Sequence, residues 1–588
     1  MLRLFKRFRR QEVLMILLSV VLIVGQVWLD LTMPDCMSEI TRLVQTEGSA
    51  MADIWANGGM MLLCALGSMV LSIATGYLAA RIAASFSMRL RRDIFHQVED
   101  FSMAEINRFS TASLITRTTN DVNQVQMLVA MGLQLIIKAP IMAVWAITKI
   151  QSSSWQWTAA TFGAVVVALL LILVAVAFAM PRFKRIQTLT DNLNRVTREN
   201  LTGLRVVRAY NAEGYQEEKF RQANDALTSN NLSANRVMAI MLPGMALVMN
   251  GLSLAIYWIG AFLIDGVAVT NQAAAMERLR LFSDMVVFTT YAMQVVMSFM
   301  MLVMIYIMWP RVAVSARRIL EVLDTKTSLA DGGKTQGLPG LQGEVEFRDV
   351  SFRYPDAGGN VIEHVNFRAK QGQTVAFIGA TGSGKSTLVN LVPRFYDVTE
   401  GQVLVDGVDV REYDQAALHE KLGYVPQRAV LFSGTVSSNV TYGCPDAPQE
   451  QVRKAVEIAQ AADFVNNIGY AGPVAQAGSN LSGGQKQRLS IARAVCRQPE
   501  IYIFDDSFSA LDYRTDRELR QALKEQTAGV TSLIVAQRIG TIRDADLILV
   551  LDQGKVVGQG THSQLLKTCP VYRQIALSQL SKEELEHA

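Results

Sequence analysis

The chain has 588 residues, half of them hydrophobic and only 18% charged. That is too long for one core and too apolar for an ordinary soluble protein, so several domains or a large membrane unit are expected. Lys and Arg (56) nearly balance Asp and Glu (52), for a net charge of +4, which argues against nucleic acid as a partner.

Apolar runs recur from the N-terminus: Val13–Met33, Gly58–Ala80, Val125–Thr148, Thr158–Met180, Ile240–Ile264 and Leu281–Met308. Each has roughly the ~20 residues that a helix needs to cross ~30 Å of hydrocarbon. Buried helices of a soluble protein would show polar faces at 3.6-residue spacing, whereas Leu14-Met-Ile-Leu-Leu18 and the run 165–174 are apolar all round. Six membrane helices are predicted. The first run is long enough to span and lacks a clear small-residue cleavage site, so no cleavable signal peptide is expected.

Lys and Arg set the orientation. They crowd before the first run (Arg3, Lys6, Arg7, Arg9, Arg10), after the second (Arg81 to Arg117) and after the fourth (Arg182 to Arg236). The other connections carry only Arg42, Lys149, Arg278 and Arg280. Both termini are therefore placed in the cytosol. The two long basic connections carry regular apolar residues, such as Leu189, Leu193 and Val196, and no Pro-rich or Gly/Ser-rich tract. They read as membrane helices continuing into the cytosol as hairpins, with flexible loops as the plainer alternative. Lys138 inside the third run either faces the bundle interior or snorkels to the interface. The Met-rich sixth run (Met285, Met293, Met297, Met300, Met301, Met304, Met308) is either an adaptable substrate surface or ordinary apolar filler.

The predicted domains are 1–323 in the membrane, a polar, Gly-rich linker over 324–341 and an α/β domain over 342–580. In the last, the apolar run Thr374–Ile378 reads as a buried strand leading into Gly379-Ala380-Thr381-Gly382-Ser383-Gly384-Lys385-Ser386-Thr387 and then a helix. The spacing is that of a P-loop: backbone N–H groups and a helix N-terminus cradle phosphate, Lys385 reaches the β/γ-phosphates, and the Ser386 hydroxyl suits Mg²⁺. Ile501–Phe504 reads as a buried strand delivering Asp505 and Asp506. Leu481-Ser482-Gly483-Gly484-Gln485 is a second Gly-containing turn before a helix, and two phosphate-reading turns suggest a site completed across a dimer. Tyr354 is an aromatic placed to stack on adenine. The five cysteines (Cys36, Cys64, Cys444, Cys496, Cys569) are scattered and form no zinc or disulfide pattern.

Taken together these stretches resemble the ABC exporter half-transporters, over essentially the whole chain. The resemblance implies six membrane helices fused to a P-loop ABC-type ATPase. It assigns the P-loop to Gly379–Thr387, the Q-loop to Gln427, the signature to Leu481–Gln485, Walker B to Ile501–Asp505 and the D-loop to the stretch ending at Asp512. It implies ATP and Mg²⁺ as cofactors, with Ser386, Gln427 and Asp505 at the metal. It also implies coupling helices near Arg108–Ser113 and Asn211–Tyr215, and membrane helices four and five crossing to a partner subunit.

Three positions depart from the family pattern. Asp506 stands where a catalytic Glu is usual, Gln537 replaces the switch His, and Gln476 replaces the acidic residue before the signature. With Lys385, Ser386, Asp505 and Gln427 in place, Mg-ATP binding should survive while hydrolysis at this chain's own Walker face is poor. The pattern resembles the degenerate-site subunit of bacterial heterodimeric multidrug exporters. It implies a second half-transporter as partner, a lipid bilayer around both, residence in the plasma membrane, and a small hydrophobic or amphipathic substrate. A homodimeric lipid or drug flippase and an ATP-gated regulatory membrane protein are the alternatives.

Overall fold

The computed structural model describes residues 2–46, 49–151, 155–268 and 272–579. Residue 580, the expected end of the ATPase domain, lies outside these. The chain divides into two compact units: 1–97 with 112–324, and 98–111 with 325–588.

In the first unit, six helices among the described residues are long and apolar enough to cross a membrane. They run Arg10–Gln45, Met51–Glu99, Thr111–Ile150, Trp155–Thr202, Glu213–Asp265 and Ala273–Asp324. The 49 residues of Met51–Glu99 make about 73 Å of helix, more than twice the hydrocarbon thickness. The second basic connection is a helical hairpin, not a flexible loop. Arg182 donates through Nε to Ser233 Oγ (2.8 Å) and accepts at its carbonyl from Asn230 (3.0 Å), while Lys219 pairs with Glu199 at 2.8 Å.

Packing inside this unit gathers Ile23, Val27 and Leu31 of the first span with Met142, Trp157, Ile256 and Phe288. The Trp157 indole donates to the Ile256 carbonyl at 3.1 Å, so even this buried ring has its polar edge satisfied. Outside that core the spans present bare apolar side chains: Leu14 is 69% exposed and Leu173 65%. Such surface suits contact with lipid or with neighbouring membrane helices rather than with water.

Lys138 takes the interior option. Its ammonium pairs with Asp30 of the first span at 3.1 Å, and Ser68 of the second donates to the same carboxylate at 2.5 Å. Three spans are thus tied by one charged contact. Farther along, Lys149 pairs with Asp35 at 2.6 Å, and Tyr291 donates to Asp35 at 2.5 Å. Of the methionine-rich span, Met285 is buried in the core while Met297 and Met304 are exposed.

Among the described residues the second unit holds twelve strands: β1 (Val345–Phe352), β2 (Ile362–Ala369), β3 (Thr374–Gly379), β4 (Glu400–Val405), β5 (Val408–Asp409), β6 (Leu422–Val425), β7 (Gly434–Thr435), β8 (Pro473–Val474), β9 (Ile501–Asp505), β10 (Thr531–Val535), β11 (Leu547–Asp552) and β12 (Lys555–Gly560). One sheet has the order β2-β1-β4-β5 and is antiparallel. The other has the order β12-β11-β3-β10-β9-β6 and is parallel from β11 to β6. Helices cover it, and its central strands are near-continuous apolar runs, as both faces are buried. The expected linker region is laid onto this unit: Gly332 N–H donates to the Tyr413 carbonyl (3.0 Å), Asp414 N–H to that of Lys334 (2.9 Å) and Leu338 N–H to that of Asp406 (2.9 Å).

Two expectations are displaced. Instead of a coupling helix near Arg108–Ser113, a helix runs Met103–Phe109 and belongs with the ATPase unit. A capping box starts it, with the Ser102 hydroxyl accepting from Ala104 N–H and Glu105 accepting from Ser102 N–H, and Ser110 (φ 56°) ends it. The stretch Asn211–Tyr215 is likewise split. A short helix Leu204–Ala209 precedes it, Asn211 turns the chain (φ 48°), and the next helix begins at Glu213.

Candidate functional site

Strand β3 is buried on both faces and ends at Gly379, from which the loop 380–384 leads into the helix Lys385–Asn390. A Cβ on Gly379 would sit 2.1 Å from the Leu551 carbonyl oxygen, so only glycine lets β3 leave the sheet beside β11. Gly384 caps the helix at φ 95°, a left-handed conformation that side chains disfavour. The Lys385 ammonium is folded back on this loop, donating to the carbonyls of Gly379 (2.9 Å) and Ala380 (2.8 Å). Burial pushes its pKa down, and the nearby carboxylates of Asp506 and Asp505 oppose that shift. A cation held by two carbonyls and facing two carboxylates is poised to exchange those partners for phosphate.

Strand β9 lies two places from β3, with β10 between, and delivers Asp505 to the same edge. Ser386 donates to Asp505 Oδ1 at 2.7 Å, so one hydroxyl and one carboxylate converge. Asp505 is only 4% exposed. Burial raises its pKa, and the Ser386 hydrogen bond only partly offsets this. A buried carboxylate whose side-chain hydrogen bond among the described residues comes from a single hydroxyl is a fitting ligand for a hard cation.

Asp506 sits on a left-handed residue (φ 48°) with its N–H on the Val535 carbonyl at 3.0 Å. Its Oδ2 accepts from two amides, Gln537 Nε2 at 2.8 Å and Gln427 Nε2 at 3.3 Å. Burial raises its pKa, and the Gln427 contact pulls the other way. The two amides occupy one carboxylate oxygen and fix its direction. Neither amide can take up a proton near neutral pH, so neither relays one from Asp506. Gln427, expected near the metal carboxylate Asp505, is turned to its neighbour instead.

Tyr354 is half-buried, and its hydroxyl is 3.0 Å from Thr387 Oγ1, which fixes the ring beside the helix that the P-loop opens. Tyr396, which sequence reasoning passes over, meets Tyr354 edge-on at 5.2 Å and accepts from Asn107 of the helix Met103–Phe109 at 2.9 Å. An aromatic downstream of a P-loop is the only local signal for it.

The signature stands apart. Ser482 caps the helix Gly483–Cys496 and shares a capping box with Gln485 (3.3 and 2.9 Å). Ser482 and Gly483 are exposed, and no hydrogen bond joins them to the P-loop among the described residues. Gly484 lies against the D-loop, where a Cβ would sit 3.4 Å from the Ala510 carbonyl. Asp512 caps the next helix by accepting from Thr515 N–H at 3.0 Å, and Gln476 is exposed. One chain therefore assembles the P-loop, Asp505, Asp506, Gln427, Gln537 and Tyr354. It leaves Ser482 and Gly483 of the second Gly-containing turn open to solvent.

A six-span membrane unit joined to a P-loop ATPase unit defines a membrane transport ATPase. Residues 16–299 match the ABC transporter transmembrane region, and residues 362–509 match the ABC transporter domain. An uncharacterized ABC transporter ATP-binding protein of Mycobacterium tuberculosis is 41% identical over 89% of this chain and 87% of its own length. An ATP-dependent lipid A-core flippase of Pseudomonas aeruginosa is 32% identical over 84% of this chain and 80% of its own. Among solved structures, a bacterial Atm1-family ABC exporter with ATP bound superposes with a TM-score of 0.78 at 25% identity, covering 97% of this chain and all of that one. The chain belongs to the ABC transporter family. It is a multi-pass membrane protein and an ATP-hydrolysing translocase of the exporter type, with its ATPase unit in the cytoplasm.

Proposed function

We propose that this chain is one half of a heterodimeric exporter in the plasma membrane, moving hydrophobic or amphipathic compounds, and that its own Walker face grips ATP more than it cleaves it. The observation that carries this is Asp506, one methylene shorter than the usual Glu and held by Gln427 and Gln537, with no imidazole beside it among the described residues. Shortening by one methylene retracts the carboxylate about 1.5 Å from an attacking water, and misplacement on that scale costs ~10²-fold.

Binding keeps its parts. Lys385 leaves the carbonyls of Gly379 and Ala380 for the β/γ-phosphates, the loop N–H groups cradle them, and Tyr354 stacks on adenine with its hydroxyl anchored at Thr387. Ser386, Asp505 and a reoriented Gln427 would hold Mg²⁺, which neutralises phosphate charge when bound. Gln537 can still donate an amide hydrogen to a γ-phosphate. The exposed signature, Ser482–Gln485, serves a second composite site whose Walker face comes from a different half-transporter, and that site supplies the turnover.

The experiment compares two substitutions in the assembled complex. Gly483→Asp should abolish ATP turnover, whereas Asp506→Ala should leave most of it; equal losses overturn the asymmetry. A homodimeric lipid flippase is the second reading. It is favoured by the relatives named lipid A-core flippases at 30–33% identity. It requires robust turnover and lipid movement by this chain without a companion.

A further inference from the structure

The membrane unit carries a cationic cavity that ATP chemistry does not use. It holds about 240 Å³ and is lined by Arg7, Arg9, Arg89 and Arg92, with Asp93 as the one acidic lining residue. Phe86 and Leu90 form an apolar floor, each 1% exposed. The Phe8 ring packs on Phe86 at 4.4 Å and so pins the N-terminal segment beside the second membrane helix.

Charge in the cavity is unbalanced. Arg89 is paired with buried Glu12, Arg92 with the adjacent Asp93 (3.1 Å), and Arg7 with Asp324 at a long 3.7 Å. Arg9 is exposed and has no carboxylate within ion-pair distance among the described residues. Four guanidiniums thus face three carboxylates, one of which is sealed behind Arg89. Guanidinium forks match phosphate oxygens in pairs.

The depth of the cavity narrows the ligand. Glu12 immediately precedes the first apolar run and accepts from Ser85 at 2.9 Å, which ties the start of that run to the second helix just past the end of its own apolar run, Gly58–Ala80. Arg89 and Arg92 follow Ser85 four and seven residues later, about 6 and 10 Å farther along the helix on the cytosolic side of both runs, and their long side chains can reach back toward the headgroup layer. Directly after Arg9 and Arg10, the first span presents Leu14, Leu17 and Val21 at 69%, 58% and 65% exposure, a row on which an acyl chain can lie. The volume equals roughly eight waters at ~30 Å³ each, which is room for a phosphate with its glycerol.

We propose that this cavity binds the phosphate headgroup of an anionic phospholipid of the inner leaflet, with Arg9 and Arg92 as the ligating cations and the Arg89–Glu12 pair as the wall that positions them. The inference is independent of how the ATP sites divide their work.

The test uses the full-length transporter in phosphatidylcholine vesicles containing a photo-crosslinkable phosphatidylglycerol. Crosslinks should fall on the segments around Phe8–Leu14 and Phe86–Arg92. Each arginine near the surface is worth about fivefold, so Arg9→Gln with Arg92→Gln should lower labelling there by roughly thirtyfold. The paired Lys substitutions keep the charge and should restore most of it. Arg185→Gln with Arg198→Gln, basic positions outside the cavity, should leave labelling unchanged. Equal loss from that control pair, or no loss from the cavity pair, overturns the proposal. So does protection by inorganic phosphate as effective as protection by unlabelled phosphatidylglycerol, which would mark a free-phosphate site.

Discussion

Restoring the family's two side chains at Asp506 and Gln537 should switch on hydrolysis at this chain's own Walker face. Asp506 is fixed from both sides: its left-handed backbone donates to the Val535 carbonyl, and its carboxylate accepts from Gln537 at 2.8 Å and Gln427 at 3.3 Å. Asp506→Glu extends the carboxylate by about 1.5 Å from the same anchored backbone, and Gln537→His removes the amide that holds Oδ2 and adds a group able to titrate. Together they should raise turnover at this face by about 10²-fold, within the ~10²–10⁴-fold span of general-base effects. The other composite site must be silent for this to be read. Ser482→Ala does that at a cost of about 1 kcal/mol in helix capping, since Ser482 opens the signature helix. Phosphate release by the complex in proteoliposomes is then measured in the Ser482→Ala background with and without the two restorations. A double variant within twofold of its background refutes the reasoning, and so does a background already turning over like the unaltered complex.

Three further outcomes follow from the same contacts. Burial raises the pKa of Asp505, so stability from its protonated form is full below the unfolded value of about 4 and is lost as pH rises through the higher folded value. Asp505→Asn should therefore melt higher than the parent in nucleotide-free samples near neutral pH, no higher near pH ~4, and gain less from Mg-ATP; calorimetry across pH checks the sign. Asp30→Asn strands Lys138 in the bundle at a cost of roughly 2.5–3.5 kcal/mol, visible as loss of folded protein, and the exchange Asp30→Lys with Lys138→Asp should recover most of it. Tyr396→Phe deletes the hydroxyl that accepts from Asn107, worth about 1 kcal/mol, and should speed amide hydrogen exchange over 103–109 about fivefold with little change in the ATP dissociation constant.

The parts legible in the sequence are those written in one continuous stretch. Runs apolar on every side gave six spans, and the P-loop and the Ile501–Asp505 strand announce themselves by spacing and burial pattern. What joins distant segments is not legible. Nothing near Lys138 names Asp30, 108 residues away, as its partner, and the choice between interior and interface is settled only by that contact. Likewise Gln427 and Gln537 reach the same oxygen of Asp506 from 79 and 31 residues away, which turns two separate departures into one clamp. The strand order places β10 between β3 and β9, an arrangement that no local pattern encodes. The displaced helix Met103–Phe109 is different, because its signal is local: Ser102-x-x-Glu105 is a capping box, and it outranks the family resemblance that put the helix five residues later.

Turnover by this polypeptide purified free of any other half-transporter, in lipid vesicles with Mg-ATP, tests the central claim most directly. The account predicts saturable ATP binding with phosphate release about 10²-fold below that of the assembled complex. Phosphate release by the lone chain at a rate matching the complex would contradict it.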